Sequence, residues 1–222
     1  MNSPHSLQLV VCGTDTDVGK TVVSAWLVQG LGASYWKPVQ SGLEQGGDRD
    51  WIVDHLQLPA ERWIREAYAL QAPVSPHWAA EQEQVEIDPS TLTLPAVEGP
   101  LVVETAGGLM VPLNRGWLQI DQLEQWKLPV VLVARSGLGT LNHTLLSLEA
   151  LRTRGIDVLG LVLNGPNHAD NPRTLEEIGG VPVLAELPPL HPLNADSLQQ
   201  QWHQQSMTSK FKSLQTRASS SP

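Results

Sequence analysis

Gly13-Thr14-Asp15-Thr16-Asp17-Val18-Gly19-Lys20-Thr21 stands between an apolar run, Leu7–Cys12, and a helical stretch, Lys20–Leu31. Strand, glycine-bearing turn and helix start is the context in which such a stretch binds phosphate. Backbone N–H groups at a helix start have no intrahelical partner, and the helix dipole favours an anion there. Gly19 lets the backbone approach closely. Lys20 is placed to meet the β- and γ-phosphates and Thr21 to ligate Mg²⁺. The strict pattern puts four residues between its first Gly and Gly-Lys-Thr; here five intervene, Thr14–Val18, so Thr14 takes the place expected for Gly. The competing reading is an ordinary strand–helix turn.

Further apolar runs lie at Ser34–Val39, Leu101–Glu104, Val130–Ala134, Val158–Leu163 and Val181–Leu187. They are short, Val- and Leu-rich and show little alternation, which suits strands buried on both faces of a parallel sheet. Helical stretches fall between several of them: Asp48–Leu56, Ile120–Trp126 and Thr140–Arg154. The order predicts an α/β single-domain fold of the P-loop NTPase type, a mostly parallel sheet flanked by helices, over residues 1–222. Residues 57–99 predict short helices and loops, and 196–214 one terminal amphipathic helix. Residues 1–5 and 216–222 read as frayed ends.

Composition narrows the function. The formal net charge is −9 with only 14 Lys and Arg, so no basic stripe exists for nucleic acid. The lysines are Lys20, Lys37, Lys127, Lys210 and Lys212; the first two flank Gly-bearing turns, where they serve a local anion. The single cysteine, Cys12, excludes an intrachain disulfide and reads as a small buried strand residue. No run reaches the ~18 apolar residues of a membrane span, and the N-terminus does not read as a signal peptide. A soluble cytoplasmic protein is expected.

Three more segments carry chemistry. Lys37-Pro38-Val39-Gln40-Ser41-Gly42 ends the second strand, so Lys37 and Ser41 face the crevice beyond the strand ends. Leu101-Val102-Val103-Glu104-Thr105-Ala106-Gly107-Gly108 places an acid at a strand end before a Gly-rich turn, a Mg²⁺-ligand arrangement. Of Asp48 and Asp50, the first reads as the cap of its helix and the second as a metal ligand. Gly137-Leu138-Gly139-Thr140-Leu141-Asn142-His143 opens a long helix, either as an anion-binding N-terminus or as plain capping through Thr140. His143, and His77 in Ser75-Pro76-His77, read as structural; the histidines offer no zinc spacing.

GTDTDVGKT, KPVQSG, SPH, VETAGG and GTLNH, in that order over about residues 7–190, resemble the dethiobiotin synthetases. In that family the loop carries the extra residue. The resemblance implies an ATP- and Mg²⁺-dependent homodimeric ligase acting on 7,8-diaminononanoate and CO₂ (or bicarbonate). A carbamate forms, ATP phosphorylates it, and the second amine closes a cyclic urea, releasing ADP and phosphate. It implies nucleotide contacts from Asp17, Val18, Gly19, Lys20, Thr21, Val22, Asp50, Glu104, Thr105, Ala106 and Gly107, with Asn164, Gly165, Leu187, Pro188 and Pro189 at the base. Thr21, Asp50 and Glu104 are implied as metal ligands. Lys37, with Lys20 and Thr16, is implied in catalysis. Thr16 and Ser41 are implied on the diamine and carbamate. Gly139, Thr140, Leu141 and Asn142 are implied on the substrate carboxylate across the dimer. The chain departs from the family in having Asp17 where Glu is frequent and Thr105 where Gly is usual.

Two other classes share the loop. A partitioning or cell-division ATPase acting as a switch carries an extra signature lysine where this chain has Asp15. A cobyrinate amidotransferase needs a glutaminase domain with a Cys nucleophile, for which the chain has no room.

Overall fold

The computed structural model describes residues 7–218. The ends read as frayed, 1–5 and the last residues of 216–222, lie outside that span, although 216–218 continue the last helix.

In chain order the strands are β1 (Gln8–Gly13), β2 (Ser34–Trp36), β3 (Val39–Gln40), β4 (Trp63–Ile64), β5 (Tyr68–Ala69), β6 (Leu101–Glu104), β7 (Pro112–Asn114), β8 (Trp117–Leu118), β9 (Val130–Arg135), β10 (Val158–Asn164) and β11 (Val183–Leu187). The α-helices are α1 (Lys20–Leu31), α2 (Asp48–Leu56), α3 (Pro76–Gln82), α4 (Gln119–Trp126), α5 (Thr140–Thr153), α6 (Asn171–Gly179), α7 (Ala195–Gln204) and α8 (Met207–Ala218).

Seven strands form one sheet in the order β11-β10-β9-β1-β6-β2-β4, and every pairing in it is parallel. Parallel strands must be joined by crossovers, and helices supply them here, so both faces are covered. One apolar layer packs Trp26, Ile52, Trp202 and Phe211 from α1, α2, α7 and α8 against one face. The other packs Ile120, Leu148 and Leu175 from α4, α5 and α6 against the opposite face. Side-chain alternation sorts neighbours between the layers: Val102 joins the first and Val103 the second.

Each of the six expected strands is present in the main sheet, with one correction. Ser34–Val39 is not one strand. It breaks at Lys37-Pro38, since proline has no N–H for the ladder. Among the elements that escaped the sequence reading are the short strands β5, β7 and β8, the edge strand β4 and helix α6. The edge strand β4 lies in the stretch read as helices and loops. Helix α6 begins at Asn171-Pro172 and ends at Gly180 in the left-handed region, signals that could have revealed it. The expected terminal helix is two helices, α7 and α8, broken where Ser206 takes a φ of 53°.

The sheet positions the site through its strand order. β1 is central, flanked by β6 and β9, and the crossovers leave it in opposite directions. The crevice beyond its carboxyl end is where an open parallel sheet binds ligands.

Candidate active site

The loop after β1 is built to hold an anion. Gly19, at φ 93°, is the N-cap of α1 and supplies no side-chain cap, so the first N–H groups of the helix face the cleft. A side chain at Gly19 would drive into Asn164, whose Nδ2 donates to the Val18 carbonyl at 3.1 Å. Glycine is therefore required by both backbone conformation and packing. Buried Lys20 donates from Nζ to the Asp15 carbonyl at 2.9 Å. Burial lowers the affinity of its ammonium for its proton, and Glu104 partly opposes that.

Facing the loop is a buried network. Glu104 ends β6 and is wholly buried. Its Oε1 lies 3.0 Å from the Thr21 hydroxyl and 3.1 Å from Lys37 Nζ, and its Oε2 accepts from the Tyr35 hydroxyl at 3.0 Å. Asp48 Oδ1 lies 2.8 Å from the same Thr21 hydroxyl, and Asp48 Oδ2 pairs with Lys37. Thr21 has one proton, so it donates to one carboxyl at a time. Burial alone would weaken proton binding by Lys37, but Glu104 and Asp48 outweigh it and the ammonium is held more tightly than usual. For Asp48, burial opposes ionisation; Lys37, Thr21 and Gln40 together outweigh it, and its carboxyl titrates below the ordinary Asp value. Lys20 and Lys37 thus balance Asp48 and Glu104, and the first turn of α1 adds positive potential.

These groups line one cleft of about 780 Å³. Thr16, Asp17, Val22, Ala106 and Gly107 also line it, as does Ser41. Its far wall is the stretch Pro73–Pro76, tied to the Ser41 side by a bond from Gly42 N to Ala72 O of 2.9 Å. Thr105, just behind, is buried with a hydroxyl lacking a hydrogen-bond partner among the described residues.

Asp50 is a correction. The structure does not bring it to this network: its carboxyl is 62% exposed and pairs with Arg49 at 2.8 Å. Asp48, read as the cap, caps nothing. Gly47 is the N-cap residue, and Asp48 turns inward because its own N–H is taken by Gln40 Oε1 at 3.1 Å. Only two residues, little more than half a helical turn, separate the two acids, and the entry angle of α2 decides which faces the cleft. Tyr35 and Gln40 belong to the network and were not singled out by sequence; a tyrosine in an apolar strand gives no signal of its own.

At the edge of the sheet, Asn164 ends β10 and Gly165 follows it, beside Leu187 at the end of β11, joined by Gly165 N to Leu187 O at 2.9 Å. Pro188 and Pro189 continue that rim. The turn Gly139–Asn142 opens α5 after β9 and is not among the residues lining the cleft.

The parallel sheet, the uncapped glycine turn opening α1 and the buried Lys–Thr–acid network define an ATP-binding P-loop enzyme. A family model described as an AAA domain matches residues 7–197. The ATP-dependent dethiobiotin synthetase BioD of Rhodopseudomonas palustris (strain BisA53) is 52% identical over 87% of this chain and 91% of its own length. The corresponding enzyme of Paramagnetospirillum magneticum is 51% identical over 85% of this chain and 91% of its own. The chain belongs to the ATP-dependent dethiobiotin synthetase family, and is an ATP-dependent ligase of biotin biosynthesis. Solved structures share the fold at low identity. The cell division ATPase MinD of Pyrococcus furiosus has a TM-score of 0.57 at 14% identity, covering 94% of this chain and 99% of its own. A putative plasmid partition protein of Borrelia burgdorferi has 0.59 at 10%, covering 95% and 99%. Those likenesses establish the architecture alone, and the sequence relatives do not favour the switch-ATPase reading.

Proposed function

We propose that the chain closes 7,8-diaminononanoate with CO₂ into the cyclic urea of dethiobiotin. One amine attacks CO₂ and loses a proton, giving a carbamate. A carbamate oxygen then takes the γ-phosphoryl group of ATP, releasing ADP. The second amine attacks the carbonyl carbon and loses a proton, the C–O bond to phosphate breaks, and phosphate leaves with the closing of the ring.

The observation that carries this reading is the Lys37 ammonium, buried between two acids and facing the phosphate loop across one cleft. A carbamate and a triphosphate repel, and phosphoryl transfer depends on positioning and positive charge more than on covalent chemistry. Lys20 meets the phosphates. Lys37 sits where the carbamate and the transferring group meet. Ser41 and Thr16 line the wall beside it, and the Pro73–Pro76 stretch limits water, which a labile carbamate requires.

A Mg²⁺ ion suits the oxygens present. Octahedral bonds of about 2.0–2.1 Å set neighbouring ligand oxygens roughly 2.8–3.0 Å apart. The Thr21 hydroxyl stands 2.8 Å from Asp48 Oδ1 and 3.0 Å from Glu104 Oε1. Two of the three oxygen pairs thus already stand at the spacing of neighbouring ligands on such an ion. Thr21, Asp48 and Glu104 would hold it, and when bound it supplies charge neutralisation at the phosphates. Asn164, Gly165 and Leu187–Pro189 form the base rim.

The substrate carboxylate lies too far along its carbon chain to reach the phosphate loop. We assign it to Gly139–Asn142 of a second subunit in a cytoplasmic homodimer. Leu138, wholly exposed at the tip of that turn, is apolar surface for such a partner to cover. The test is ADP release that requires both 7,8-diaminononanoate and bicarbonate. Hydrolysis at full rate without them would overturn the reading.

A further inference from the structure

Glu104 has two oxygens with separate duties. Oε1 faces Thr21 and Lys37, on the cleft side. Oε2 faces away and has Tyr35 as its hydrogen-bond donor, at 3.0 Å. Tyr35 is wholly buried on β2, beside β6 in parallel register with Val102. Val102 and Glu104 are two residues apart on β6 and so project from the same face, which is also the face of Tyr35. The phenol thus runs along the sheet to the back of the carboxyl. Its ring is fixed in the layer against α1, so its hydroxyl is fixed as well. Other buried polar atoms, those of Ser24, Trp26, His77 and Thr105, have no partner among the described residues, whereas this pair is matched.

A carboxyl with one oxygen tied cannot rotate to offer the other elsewhere. We propose that Tyr35 is a positioning residue for the nucleotide-bound metal: it locks Glu104 so that Oε1 stays directed at Thr21 and the Mg²⁺ site. The inference rests on the metal reading above. Tyr35 touches neither phosphates nor metal, and acts through Glu104. Partners that orient a ligand from behind characteristically set its metal affinity.

The experiment is ADP binding by calorimetry, with Mg²⁺ and with chelator, for the wild type, Tyr35→Phe, Glu104→Gln and the double variant. In Tyr35→Phe the metal-free ADP affinity is expected to stay unchanged, while the tightening brought by Mg²⁺ shrinks by about 10–100-fold, the scale for losing such an orienting bond. In the Glu104→Gln background the same change is expected to have little further effect, because the two groups act as one unit. Unchanged Mg²⁺ tightening in Tyr35→Phe would overturn the proposal. So would an equal loss of affinity with and without metal, which marks general damage to the fold. A wild-type chain whose ADP affinity ignored Mg²⁺ would remove the metal reading itself, and the inference with it.

Discussion

Two glycine turns at the same edge of the sheet open two helices, and they look alike in backbone. Gly19 precedes α1 at φ 93° and Gly139 precedes α5 at φ 91°; neither helix has a side-chain cap. Their surroundings differ. A Cβ at Gly19 would strike Asn164, and the turn lies among Lys20, Lys37, Glu104 and Asp48. A Cβ at Gly139 would meet nothing within 4 Å, and Leu138 beside it is wholly exposed. Free N–H groups are common to both, so they do not by themselves make a site. What converts the first into one is the buried charge brought to it by β2, β6 and α2. Among the described residues, the second turn has no such company in the cleft that the first lines.

The comparison predicts its largest effect at Lys37. Lys37→Ala is expected to cut kcat by about 10²–10³, the range for one positioned charge-stabilising donor, with ATP binding largely intact. Lys20→Ala is expected to weaken both binding and turnover, since Lys20 sits in the loop itself. Steady-state kinetics beside direct ATP binding separates the two. Equal loss of ATP affinity in both variants would dissolve the division between loop and transfer centre.

Next is the acid pair on α2. Asp48→Ala is expected to raise the Mg²⁺ requirement for ADP release by roughly tenfold or more, the scale of losing a group that holds or orients a metal. Asp50→Ala is expected to leave it near wild type, because Asp50 is exposed and pairs with Arg49 away from the network. A magnesium titration of initial rates decides. Sensitivity at Asp50 alone would reinstate the choice that the sequence favoured.

That reversal marks where sequence stops being informative. The phosphate loop, Lys37 and Glu104 were legible because each sits at the end of an apolar strand, and parallel strands carry their ends to one edge. The sheet was legible for the same reason, apart from a two-residue edge strand whose pairing comes from position and not from pattern. Asp48 and Asp50 share a helix, a turn and a composition. Only the hydrogen bond from Asp48 N to Gln40, eight residues away, points one of them inward. Tyr35 was hidden because its ring obeys the apolar pattern of β2 while its hydroxyl does not. The Gly139 turn could be read either as a cap or as a site, since the deciding neighbours are not in its vicinity in the chain.

A smaller signal sharpens the second turn. Lys37→Ala subunits mixed with Gly139→Pro subunits are expected to regain activity, although each alone is weak. In a two-fold dimer with composite sites, random mixing leaves half the dimers mixed, each with one intact site, or about a quarter of wild-type activity. Recovery is read as ADP release after mixing and reassembly. Full activity from a monomer at assay concentration would place the carboxylate contact within one chain.

The smallest effect is a slope. Asp48 titrates below the ordinary Asp value of 3.8: burial alone would raise it, but Lys37, Thr21 and Gln40 outweigh burial. As pH falls, the unfolded chain therefore takes up this proton before the folded chain does. The stability that Asp48 contributes is fully present above 3.8 and is lost as pH falls through its lower folded value. Lys37 carries the opposite sign. Its ammonium is held more tightly than the ordinary 10.5, burial being outweighed by Glu104 and Asp48, so its contribution persists below 10.5 and is lost as pH rises through the folded value. Asp48→Asn removes the first proton and weakens the second grip. Thermal melts across the acid range are expected to fall less steeply in Asp48→Asn than in wild type, and the alkaline loss above 10.5 to be smaller, because Lys37 then gains less over its unfolded value. Acid-side slopes that coincide would mean that the Asp48–Lys37 pair is not closed in solution. The buried charge that distinguishes the Gly19 turn from the Gly139 turn would then have to be assembled by the nucleotide.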